Sequence, residues 1–263
     1  FQADSRENIL REVEQLKEQG VREIALVSQD TNNWSNPENF LDLLEAIRLT
    51  YPEGWLRLLY MYPDRRTYRI FEGIARRGID IVPYLESPLQ HTAPHVLKAM
   101  NRQGDASFYG ELFHMARELF PGLEIRTAFI IGYEGETRSD VDHLIDFMTA
   151  HQLEKVSCFA FSPEENTKAE LYSAHPETAE RIRRILDAHR SIQKECMARK
   201  IGEEVTCLVD SVENGTVLLR RPQDAPEMDG VVLLTEERPV QPGDFLRVQL
   251  TDFHEYDFSG RPA

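Results

Sequence analysis

The stretch Glu124-Ile-Arg-Thr-Ala-Phe-Ile-Ile-Gly-Tyr-Glu-Gly-Glu-Thr137 decides the fold. Residues 125–131 form a short, almost continuous apolar run, rich in β-branched side chains. Such a run reads as a parallel strand covered on both faces. Gly132 and Gly135 follow, and let the backbone turn tightly and approach a ligand closely. Thr137, with Asp140 three residues on, fits a helix-capping pattern. Strand, glycine turn and helix start in that order put the turn at the carboxyl end of a strand, where β/α barrels bind ligands. An ordinary packing joint reads the same in isolation, so the neighbouring units decide.

Working outward, the same unit recurs. Helical spacing of Ile9, Leu10, Val13 and Leu16 after Ser5 predicts a helix that Gly20 stops. Strands are expected at residues 23–27, 55–61, 81–85 and 156–161, with helices at about 38–50, 67–77, 94–101, 107–120 and 137–151. This alternation predicts an α/β fold, a parallel sheet or partial (β/α) barrel built from right-handed crossovers. Five strands are too few to close a full eight-stranded barrel. A long helix is expected from about 176 to 201. Beyond Gly202 short strands (205–209, 216–220, 231–234, 245–250) alternate with turns at Asn214-Gly215, Asp229-Gly230 and Pro242-Gly-Asp244. That texture predicts a small antiparallel β-barrel. The expected domains are therefore 1–201 and 202–263.

The 263 residues are 29% charged and 41% hydrophobic, a globular composition. A net charge of −15 argues against a generic nucleic-acid binder and suits a basic protein partner. The second domain carries five Lys and Arg against thirteen Asp and Glu, a net −8, which would repel a phosphate backbone. No apolar run approaches the roughly 20 residues of a membrane span. No signal peptide is seen, so a cytoplasmic protein is expected, although the chain lacks an initiator Met and something is expected to precede Phe1. Cys158, Cys196 and Cys207 are far apart and form no CxxC, so each reads as a small apolar residue rather than a metal ligand.

Polar residues gather at the predicted strand ends: Gln29 and Asp30, Asp64, Gln90 and His91, Glu134 and Glu136, Ser162 and Glu165. Parallel strands would crowd all of them onto one rim, as a ligand site requires. His91 and His95 lack the companion carboxylate of HExxH, so no zinc site is expected. No G-x-S-x-G elbow, P-loop or G-x-G-x-x-G occurs. Arg126 sits near the start of a buried strand, where an unpaired charge is costly; it needs a protein partner or an anionic ligand, unless it snorkels at the edge.

Four segments together resemble the radical-SAM methylthiotransferases: Ser87-Pro-Leu-Gln-His91, Val96-Leu-Lys-Ala-Met-Asn-Arg102, Arg126 to Thr137, and Phe161-Ser-Pro-Glu-Glu-Asn-Thr167. Asp224-Ala-Pro-Glu-Met-Asp-Gly230, Pro242-Gly-Asp244 and Glu255-Tyr-Asp257 resemble the TRAM domain of the branch that modifies an aspartate of ribosomal protein S-twelve. The resemblance implies a partial radical-SAM TIM-like barrel followed by an OB-like TRAM barrel. It implies S-adenosyl-L-methionine (SAM) as cofactor, and two 4Fe-4S clusters in the full-length protein. The family's amino-terminal domain and CxxxCxxC loop have no counterpart here, so Phe1 aligns just after that loop and none of the three cysteines is a cluster ligand.

The implied chemistry is reductive cleavage of SAM, hydrogen abstraction from the aspartate β-carbon, and addition of sulfur and a methyl group. By this resemblance Gln29, Gln90 and Arg126 are SAM contacts, with Gly132, Gly135 and Glu136 as further candidates and Ser162 and Thr167 on the last edge. Glu134, Asn166 and Thr92 depart from the family pattern, as does the segment at Phe258-Ser259. A tRNA-adenosine methylthiotransferase is the alternative enzyme, disfavoured by the acidic second domain. A cluster-less binding scaffold is the alternative from another class.

Overall fold

The computed structural model describes residues 4–165, 168–213, 215–235 and 239–263. Helices α1 (Arg6–Glu18), α2 (Pro37–Thr50), α3 (Arg65–Arg77), α4 (Pro94–Ala99), α5 (Ala106–Leu119), α6 (Arg138–His151) and α7 (Thr178–Arg199) alternate with strands β1 (Glu23–Leu26), β2 (Trp55–Leu58), β3 (Tyr84–Glu86), β4 (Glu124–Ile131) and β5 (Lys155–Ala160). All pairings among these strands are parallel, β1 with β2 and β3 with β4 with β5. Amide bonds from Val82 to the Leu56 carbonyl and from Met61 to the Glu86 carbonyl, both 3.0 Å, join the two sheets into one curved wall. It is open between β1 and β5, which have no further strand partner among the described residues.

Local chemistry sets the element ends. Ser5, Asn36, Asp64 and Asp105 each accept a first-turn amide at a helix start. Thr137 and Asp140 form the reciprocal capping box that their spacing predicts. Two strands are shorter than expected. β2 stops before Tyr60, whose φ of 55° turns the chain out of the strand. β3 starts only after Pro83, which has no amide to give a ladder. The helix-facing side of the wall, with Leu85, Ile125, Phe129 and Ile131, packs against α2, α3, α5 and α6 in one continuous core.

The second unit is a closed barrel of β6 (Glu204–Glu213), β7 (Thr216–Arg220), β8 (Val232–Thr235), β9 (Phe245–His254) and β10 (Asp257–Pro262). Two expectations need correction. The last strand, β10, carries little apolar signal, since only Phe258 reaches the core. The barrel is also not wholly antiparallel: β10 pairs with β8 in parallel and with β9 in antiparallel fashion. An odd number of strands cannot alternate direction around a closed ring, so one pairing must be parallel. Asn214 of the predicted Asn-Gly turn lies outside the described residues.

This barrel docks on the amino-terminal ends of the wall's strands. Residues 224–230 enter the lower opening, where Ala225 and Met228 pack with Leu59, Val82 and Tyr84. Around that plug, buried charges are paired across the seam. Glu124 bonds Lys155 at 2.6 Å, Arg221 at 2.9 Å and Lys200 at 3.0 Å, and Asp224 bonds Arg221 at 2.7 Å. Burial pushes the Glu124 carboxyl up, but the Lys155, Arg221 and Lys200 charges more than reverse this and hold it well below the usual range. Asp224 is likewise lowered, burial being outweighed by Arg221 and Lys155.

Removing one member leaves the others buried and unanswered. Glu124→Gln is therefore expected to lose about 3–5 kcal/mol in urea unfolding at pH 7. Because the folded pKa values are depressed, this stabilisation is fully present above the unfolded carboxylate range near pH ~4 and is lost as pH falls below it. The gap between wild type and variant should thus narrow as the titration is repeated toward pH ~2; a gap independent of pH would refute the ionic account.

Candidate functional site

Strand alternation gives the wall a second face. Along β4, Ile125, Phe129 and Ile131 are fully buried toward the helices, while Arg126, Ala128 and Ile130 are half-buried and point the other way. They line a cavity of about 890 Å³ inside the partial barrel. Its floor is polar: Glu86 of β3, Arg126 of β4 and Ser157 of β5, with Met228 of the plug beside them. Its walls are apolar and aromatic, from Ile130, Tyr133, Phe159 and Phe161. Tyr60, Gln90, Asn101, Arg102 and Ser162 are among the other lining residues. Tyr133 stacks edge-on against Phe161 with ring centroids 4.8 Å apart, which fixes that wall.

Three lining residues other than glycine hold left-handed backbone: Tyr60 at φ 55°, Gln90 at 68° and Asn101 at 57°. Each such conformation costs on the order of 1 kcal/mol or more, and strain of this kind concentrates at functional sites. At Gln90 it is held by ladder-like bonds on both sides, Gln90 amide to the Ala128 carbonyl and Ile130 amide to the Gln90 carbonyl, each 2.8 Å. The third strand's extension is thereby tied to the middle of β4.

Of the residues singled out from sequence, Gln90, Arg126 and Ser162 meet in this cavity. Arg126 has a protein partner: its Nη1 donates to Asp229 Oδ1 at 2.7 Å and the Met228 carbonyl at 3.3 Å, and its Nη2 to Ser157 Oγ at 3.2 Å. Asp229 also accepts from the Tyr84 hydroxyl at 2.9 Å, so one carboxylate of the plug organises two side chains of the wall. Gln29 is exposed beyond β1 and is not part of the lining. Thr167 lies outside the described residues.

Gly132 and Glu136 sit one layer behind the cavity. Glu136 is buried, accepts from the Gly132 amide at 2.9 Å and pairs with Arg181 of α7 at 2.7 Å. His91 accepts the Thr92 and Ala93 amides on Nδ1 and presents Nε2 to Glu136 at 3.5 Å, long for a hydrogen bond. Burial raises the Glu136 carboxyl, but its contacts with His91, Arg181 and the Gly132 amide leave it below the ordinary range. Glu136 thus braces the glycine turn, the loop after β3 and α7 together. A Cβ at Gly132, whose φ is +85°, would lie 1.9 Å from Thr178 Oγ1. The opening glycine serves close approach to α7.

Sequence reasoning missed Glu86, Tyr60, Ser157 and Met228. Only Met228 lay in a quoted motif, and nothing local signals that the others point inward. The three cysteines are free and half-buried or buried, and burial pushes the Cys158 and Cys207 thiols up to about 12. Among the described residues no three His, Cys, Asp or Glu side chains come together as a metal set.

Known proteins match this architecture in two blocks: the Radical SAM superfamily over residues 1–148, and the TRAM domain over residues 201–262. The chain belongs to the Radical SAM superfamily. Within it, the chain is 39% identical over 257 residues to the "Ribosomal protein uS12 methylthiotransferase RimO" of Leptospira biflexa, covering 96% of this chain and 57% of that protein. The protein of the same name from Azoarcus sp. is 36% identical over 265 residues, covering 95% and 59%. The chain thus spans less than two thirds of the length of these relatives. Coproporphyrinogen III oxidase (HemN) from Escherichia coli, a radical SAM enzyme, superposes with a TM-score of 0.55 over 93% of this chain and 60% of its own, at 12% identity, which speaks for the fold alone.

In this radical SAM barrel, Gly132→Ala is expected to lose about 2 kcal/mol or more, since it adds backbone strain and a clash with Thr178. Thermal unfolding measures it; a neutral effect would show that α7 gives way freely.

Proposed function

We propose that the protein is a radical-SAM methylthiotransferase that adds a methylthio group to the β-carbon of an aspartate in ribosomal protein uS12. The observation that carries this is a sequence likeness of 33–39% along nearly the whole chain to proteins of that name. In this reading residues 1–201 are the catalytic unit and 202–263 the recognition unit.

The cavity suits SAM in size and character, with apolar walls for its nucleoside and polar groups at floor and rim for its charged end. When bound, SAM supplies the hydrogen-abstracting and methyl-donating chemistry. Gln90 and Ser162 hold the ligand, with Arg126, pinned by Asp229, forming the floor beneath it, while Gly132 and Glu136 fix the turn behind it. Gln29, beyond the end of β1, reaches the ligand only from the rim. The aromatic walls exclude water from reactive species. A cluster does not fit the described residues, which offer no cysteine set; both 4Fe-4S clusters of this reading belong to other parts of the full-length protein, and no step is derived through them.

The acidic second barrel favours a basic ribosomal protein over tRNA, because RNA affinity depends on neutralising phosphates. A ribosomal substrate places the reaction in the cytoplasm.

Mass spectrometry of uS12 after incubation with the anaerobically prepared full-length enzyme is expected to show a methylthio addition on one aspartate, with iron and sulfide contents of two 4Fe-4S clusters. Modification of tRNA instead, or a full-length protein without iron, would overturn the reading. Gln90→Ala is expected to weaken SAM binding about tenfold in equilibrium titration, the loss of one or two hydrogen bonds.

A further inference from the structure

Five carboxylates among the described residues are buried: Glu86, Glu124, Glu136, Asp140 and Asp224. Four face a basic group. Glu124 and Asp224 share Lys155 and Arg221, Glu136 holds Arg181, and Asp140 meets His95 at 3.3 Å. Glu86 has none within ion-pair distance, although it is only 6% exposed. Among the described residues its side chain has one hydrogen bond, from the Tyr60 amide to Oε2 at 3.1 Å.

The two arginines whose charges act on Glu86 are bonded elsewhere, Arg57 to Glu23 at 2.6 Å. Arg126 stands beside Glu86 in the β3–β4 register, yet its guanidinium is spent on Asp229, Met228 and Ser157. Burial pushes the Glu86 carboxyl above its ordinary range, only partly offset by the Tyr60 amide and the Arg126 charge. A buried carboxylate without a cation is costly, so a site that keeps one has a use for it. Glu86 lies in the floor of the cavity, below aromatic walls from Tyr60, Tyr133, Phe159 and Phe161. A carboxylate under aromatic faces is an environment for a positive charge wrapped in alkyl groups.

We propose that Glu86 is the counter-charge for a compact alkylated cation, a sulfonium or ammonium group, bound at the floor of the cavity. The cation has two sources under the methylthiotransferase reading: SAM itself, or a lysine of the protein substrate. The proposal rests on that reading for the ligand's identity, but not for the need of a positive partner.

Equilibrium titrations on the full-length, cluster-loaded protein test this with SAM against neutral 5′-methylthioadenosine, and with a lysine-containing uS12 peptide against its norleucine counterpart. Glu86→Gln keeps the size and removes the charge. It is expected to weaken one of the two cations at least about tenfold while changing its neutral analogue less than about twofold. Loss for SAM alone assigns the site to the cofactor, and loss for the lysine peptide alone assigns it to the substrate. Equal effects on cation and neutral analogue, or no effect on either cation, would overturn the proposal. The thermal midpoint of Glu86→Gln is expected at or above that of wild type, because an unpaired buried charge is gone; a fall of several degrees would assign Glu86 a structural role instead. Failure of the methylthiotransferase reading appears separately, as missing iron or an unmodified uS12, while these titrations read affinity.

Discussion

Asp229 meeting Arg126 inside the partial barrel is the contact on which the rest of the site depends. A guanidinium on the inner face of β4 requires an anion, and the anion comes from a loop of the second barrel, 103 residues later in the chain. The same carboxylate takes the Tyr84 hydroxyl and the Ala225 amide, so it shapes its own loop while it grips the wall. With that loop in place the lower opening is plugged, and the space above becomes a cavity with a floor. Without it the inner faces of β3, β4 and β5 would open to water at both ends.

The ion pairs surrounding the plug make the two units one structure. Glu124 at the start of β4, Lys155 at the start of β5 and Lys200 after α7 converge with Arg221 and Asp224 at the same seam. Buried charges of this kind add little over a well-packed apolar seam but are severe when mismatched, so they specify one docking geometry. Glu136 does similar work at the opposite end of β4, where it ties the glycine turn to α7. One strand is thus fixed by carboxylates at both ends, and between them its inner face is left for a ligand. Among the described residues Glu86 stands apart as a buried acid with no cation within ion-pair distance.

Much of this was legible in the chain. The apolar run of β4, the two glycines and the Thr137–Asp140 box specified strand, turn and helix, because each depends on neighbours a few residues away. The alternation of units and the change of texture beyond Gly202 specified the two architectures for the same reason. Gln90 and Ser162 line the cavity because strand ends in a parallel wall share one side, and Arg126 drew notice because a charge near the start of a buried strand needs a partner.

What only the tertiary structure decided were pairings over long separations and the choice of face. An apolar strand with period two does not say which face meets helices and which meets a cavity, so Glu86 and Ser157 gave no signal. Arg126 announced that it needed a partner but not which one, since Asp229 is brought to it by docking rather than by local geometry. Gly132 and Glu136 read as ligand residues in sequence, yet packing against Thr178 and Arg181 uses them as a brace. β10 was invisible because its place is set by the barrel's need to close, a constraint of the whole ring that no six residues carry.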